Sequence, residues 1–68
     1  MNEEAIINLI QLSISMGIVG KTRLISHVAK NNLVGQRKIA AVLSNPKYQG
    51  LYWTEKKGER NLRTFDLL

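Results

Sequence analysis

The side chains with chemistry to offer are mostly cations, and they come in clusters. Lys21 and Arg23 form one, Gln36, Arg37 and Lys38 a second, and Lys56, Lys57, Arg60 and Arg63 a third, with Lys47 between the last two. Repeated ammonium and guanidinium groups bind anions, and a guanidinium adds two-point recognition of phosphate. Ten Lys and Arg against five Asp and Glu give a net charge of +5 and point to a polyanionic partner. The charge is uneven. Residues 1–20 hold Glu3 and Glu4 and no cation, a side-chain sum of −2, whereas residues 21–68 hold all ten cations against Glu55, Glu59 and Asp66, a sum of +7.

Other chemistries fail on spacing. Gly20, Lys21 and Thr22 end like a phosphate-binding loop, but the first glycine of GxxxxGK[ST] would have to stand where Ser15 does, and no strand precedes it. His27 is the single histidine and there is no cysteine, so no metal set can be assembled; no serine or acid pairing marks it as a general base, and it reads as a surface or packing residue. Glu55 and Glu59 flank a turn and are expected to pair with Lys57 or Arg60. Trp53 has a face on which a base could stack, yet a tryptophan in a short strand reads first as core. No catalytic residue, cofactor or metal is expected.

The elements that must position the cations follow from period and punctuation. Sixty-eight residues make one domain, burying only about 60% of the surface its unfolded chain exposes, with no disulfide to assist. Asn2 followed by Glu3 and Glu4 is a helix cap with two dipole-compensating acids. The apolar residues from Ala5 to Met16 cover a broad arc and leave Asn8, Gln11 and Ser15 on a narrow polar strip, and Gly17 ends the helix. A second helix over 21–30 turns Leu24, Ile25, Val28 and Ala29 inward. Leu33 and Val34 are apolar plugs in the following connection. A third helix runs from Gln36 to about Ser44 with Ile39, Val42 and Leu43 inside, and Pro46 forbids its continuation. From Leu51 the period changes. Leu51–Thr54 and Leu62–Leu68 read as strands joined by a polar turn at Gly58 and Glu59, a register that sets Tyr52 opposite Phe65 and Thr54 opposite Arg63.

Three short helices and a glycine-tipped basic hairpin give the order α, α, α, β, β, carried by the run KTRLISHVAKNNLVGQRKIAAVL and then GLYWTEKKGERNLRTFDLL. In this order the chain resembles the winged helix-turn-helix family of DNA-binding domains over essentially its whole length, 1–68. The resemblance implies an α+β fold, a three-helix bundle with a C-terminal two-stranded wing, whose third helix enters the major groove of double-stranded DNA while the wing touches the backbone or minor groove. The residues suit those roles. Gln36 and Arg37 have the chemistry for base edges and Lys38 for a phosphate, and Ala40, Ala41 and Ser44 let the third helix approach closely. Lys47, Lys56, Lys57, Arg60 and Arg63 are placed on the duplex as well, the wing residues as salt-dependent backbone contacts. Lys21 and Arg23 open the second helix, where the dipole also favours an anion. The special class that reads left-handed duplexes through an asparagine and a tyrosine has Ala40 and Ser44 at those positions here, so the resemblance stops short of it.

Two alternatives stand beside this expectation: RNA binding through the same basic face, and a protein-interaction module. For the latter the arc of the first helix exceeds what a three-helix core needs, and Ile6, Leu9 and Leu12 are the residues expected to hold a homodimer or a protein partner. No stretch is apolar for the roughly 18 residues of a membrane span and no secretory leader is visible, so a cytoplasmic location is expected. The initial Met and the closing strand read as a whole protein.

Overall fold

A computed structural model describes residues 2–32, 34–58 and 62–68. Its elements are α1 (Glu3–Ser15), α2 (Lys21–Asn32), α3 (Gln36–Leu43), β1 (Trp53–Lys57) and β2 (Arg63–Leu67), with the two strands paired antiparallel. The expected fold class is therefore present, an α+β arrangement of three helices followed by a hairpin. Arg60, Glu59 and Leu33 lie outside the described residues, and with them the tip of the hairpin and one of the two apolar plugs.

Local chemistry sets the helix limits. Asn2 is extended, and its side-chain oxygen accepts the Ala5 N–H at 2.8 Å while Glu3 and Glu4 occupy the first turn. At the other end Gly17 takes φ +89, the left-handed conformation that lets a helix stop. Nothing lies within 4 Å of a Cβ built there, so the objection to a side chain is purely conformational. Gly17→Ala is expected to lower stability by about 1 kcal/mol in urea unfolding, with the native spectrum unchanged; an unaltered midpoint would refute this. Two boundaries differ from expectation. α2 continues to Asn32, whose side-chain amide donates to the Val28 carbonyl at 3.1 Å. α3 stops at Leu43 with Ser44 as its cap.

Every element contributes to one core, in which Ile6, Ile10, Leu24, Val28, Ile39, Leu43, Trp53 and Phe65 are fully buried. Ile6 was expected on a partner surface and is instead internal. It shares a row with Ile10 and Ile14 at four-residue spacing, and that row is the one α1 turns to its neighbours. Trp53 is core, as its context implied. Its indole N–H donates to the Leu43 carbonyl at 3.1 Å, so the start of β1 is tied to the last residue of α3.

The hairpin register departs from expectation. Pairs run from Trp53 with Leu67 to Lys57 with Arg63, so Glu55, not Tyr52, lies opposite Phe65, and Thr54 faces Asp66. Successive strand residues point to opposite faces, so burying both Trp53 and Phe65 requires them on the same face. The expected register would have set them on opposite faces. Beyond the last pair, the Gly58 N–H donates to the Leu62 carbonyl at 2.6 Å.

The connection between α1 and α2 joins this sheet. The Phe65 N–H donates to the Val19 carbonyl at 2.9 Å, and Gly20 bridges Thr64 antiparallel. Val19 and Gly20 thus cover the edge of β2 that β1 leaves open. The radius of gyration, 10.8 Å, is close to the roughly 11 Å of a compact chain of this length, so the base of the hairpin lies against the helices. Among the described residues no helix is long and apolar enough to cross a membrane.

Candidate nucleic-acid interface

α3 starts after Gly35, which has no side chain to cap the first turn and whose carbonyl accepts the Lys38 and Ile39 N–H groups at 3.1 and 3.2 Å. With Ile39, Val42 and Leu43 buried, helical geometry sets Arg37, Ala41 and Ser44 along the opposite, exposed side. Gln36 and Lys38 are exposed on its two flanks. The outward side of α3 therefore presents one long cation, Arg37, rising from small neighbours.

A second group forms where α2 meets the hairpin. Gly20, Lys21, Thr22, Arg23, Leu62 and Arg63 line an open hollow of about 380 Å³, joining residues some 40 positions apart. The β2–Gly20 bridge is what carries Arg63 to the start of α2. Arg63 is also held by the Glu55 carboxylate, which in addition accepts the Gln49 side-chain amide at 3.0 Å. Glu55 was expected to pair with Lys57 or Arg60; Arg63 takes the place of Lys57, and Arg60 lies outside the described residues. Glu55 and Arg63 share the inner face of the observed register on diagonal positions.

Lys56 lies on the outer face of β1, 3.9 Å from Asp66, an exposed pair of small energetic weight. Lys57 is exposed one residue further toward the tip. Lys47 stands over the Tyr48 ring at 5.8 Å. Tyr48 donates its hydroxyl proton to Glu3, and this bond, with burial, holds the phenol above its ordinary value of 10.0. The residues after α3 are thereby fastened to the start of α1.

Lys21, Arg23, Lys30, Arg37 and Lys57 make no ion pair among the described residues. Lys30 is missing from the clusters read along the chain. It lies seven residues after Arg23, hence on the same side of α2, and Arg23, Ser26, His27 and Lys30 line a second hollow of about 270 Å³ with Ile18. That spacing was the available signal. His27 does have a partner: its Nδ1 is 3.0 Å from the hydroxyl of Ser13, a residue 14 positions away on α1 that is itself buried. Since the Ser13 Oγ also lies 3.0 Å from the Leu9 carbonyl, this serine is a link within the helix pair. No carboxylate is hydrogen-bonded to His27 among the described residues.

The shape is that of a small α+β domain with a helical bundle and a C-terminal hairpin, consistent with a winged helix. No family model, no curated protein and no solved structure matches the chain.

Proposed function

We propose that the chain is a small winged-helix protein that binds double-stranded DNA, with α3 in the major groove and the hairpin as a wing along the backbone, acting as a regulator of transcription or replication. The observation that carries this is a group of cations without an acid partner among the described residues, Lys21, Arg23, Lys30, Arg37 and Lys57 among them, on a chain of net charge +5. Phosphates are the counter-charge such a surface takes. The form of α3 favours DNA over RNA. An exposed helix side with Ala41 and Ser44 beside one arginine fits a B-form major groove of about 12 Å width, whereas the deep, narrow major groove of A-form RNA excludes it.

In this reading Arg37, flanked by Gln36, addresses base edges, and Lys38, Lys47, Lys56 and Lys57 reach phosphates. Lys21 and Arg23 bring a further phosphate to the hollow at the start of α2. Arg63 contributes from within its ion pair with Glu55 and so presents a weaker field than a lone guanidinium.

The test is a titration of the whole chain with duplex DNA at several salt concentrations, with duplex RNA as competitor. Engagement of about five phosphates predicts a slope of log affinity on log salt near −4.5, hence roughly a 500-fold loss of affinity between 50 and 200 mM salt. Binding that is absent at the lowest salt, or that ignores salt, would sink the proposal. Stronger competition by duplex RNA than by DNA would transfer the reading to RNA.

A further inference from the structure

The core uses one side of α1 and leaves another side apolar. Ala5, Leu9, Leu12 and Met16 follow one another at intervals of four, three and four residues, the spacing of a single seam along a helix. Ala5 and Leu9 are half-buried, and Leu12 and Met16 are 58% and 61% exposed. The polar strip of Asn8 and Ser15 borders the seam on the side away from the core.

We propose that this seam is where a second copy of the chain docks, α1 against α1 in antiparallel orientation about a two-fold axis between Leu9 and Leu12. Three features select a second copy. The first is self-complementarity: about an axis midway between residues 9 and 12, Leu9 meets Leu12 of the other copy and Ala5 meets Met16, so the smallest residue of the seam faces the longest. The second is charge. α1 is the one helix without Lys or Arg, whereas residues 21–68 sum to +7, so two copies approach through α1 with the least repulsion. The third is the helix dipole, because antiparallel helices bring the positive end of one beside the negative end of the other. Four residues a side make a small interface of the weak, reversible class.

The seam read from structure differs from the one expected from sequence by losing Ile6 to the core and gaining Ala5 and Met16. The proposal is independent of the DNA reading, since its test contains no nucleic acid. Sedimentation equilibrium of the whole chain between about 10 μM and 1 mM should show the average mass rising from 7.7 kDa toward twice that value. Leu12→Glu, at an exposed position, should keep its far-UV spectrum and weaken dimerisation at least tenfold. A chain that stays monomeric throughout, or a Leu12→Glu chain that dimerises like the parent, overturns the proposal. Orientation has its own readout, because the natural chain has no cysteine. When Leu9→Cys and Leu12→Cys chains are mixed under mild oxidation, disulfides between the two variants should outpace those within either; faster like-with-like linking would overturn the antiparallel seam.

Discussion

Trp53→Ala should remove most or all of the folding stability of this domain. The side chain is fully buried, and it is the largest in the core. Emptying such a site typically costs about 3–5 kcal/mol, and a chain of this length has only about 3–10 kcal/mol in total. The loss would also reach α3, because the indole N–H is what fastens the start of β1 to the Leu43 carbonyl. Trp53→Phe separates the two contributions. It retains most of the apolar volume but leaves the carbonyl without that donor, and should cost about 1–2 kcal/mol. Urea unfolding followed by far-UV circular dichroism distinguishes the cases. If Trp53→Ala unfolds within about 0.5 kcal/mol of the parent, Trp53 is not the link between hairpin and helices described above.

The second large effect concerns recognition. Arg37→Ala should weaken binding to a duplex selected from a random library by about 10- to 100-fold, while a scrambled duplex loses only a few-fold. The expectation follows from its position. Arg37 is exposed, unpaired by any acid among the described residues, and centred on the side of α3 opposite Ile39. Arg37→Lys should recover the scrambled-duplex affinity and not the selected one, because an ammonium cannot reproduce the two-point fork. Lys57→Ala provides the contrast, weakening both duplexes alike and reducing the salt slope by about 0.9. Fluorescence anisotropy on the two duplexes measures all of this. Equal losses on both for Arg37→Ala would mean that α3 touches phosphate only.

Features that depend on neighbours in sequence were legible. Asn2 with its two acids, Gly17, and Pro46 set the helix limits, and the inward residues of α2 and α3 followed from period alone. The candidate interface was legible to the extent that it consists of charge: Arg37, Lys38 and Lys57 are exposed where spacing put them. Contacts between distant residues were not. The hairpin register turned on Trp53 and Phe65 sharing a face, which requires knowing that both meet the same core. The Glu55–Arg63 pair follows from that register, so the expected pairing of Glu55 with Lys57 failed with it. Ser13 with His27 and Val19 with Phe65 join elements whose approach is a property of the packed bundle. Ile6 shows the same limit from the other side, since the arc of α1 is apolar all along it and only the packing says which part is covered.

The bond from Phe65 back to Val19 has a consequence for the order of events in a cell. The edge offered by the first connection and the pocket that receives Phe65 are made by residues that precede, in chain order, the strand that fills them. A nascent chain can form its helices as they emerge, yet it has no β2 to close the core until translation has passed Phe65. Until then Ile6, Ile10 and Leu24 lack one wall of their enclosure. The domain completes its fold only once β2 has been made, and a ribosome that stalls in the hairpin leaves those side chains open to chaperones and proteases.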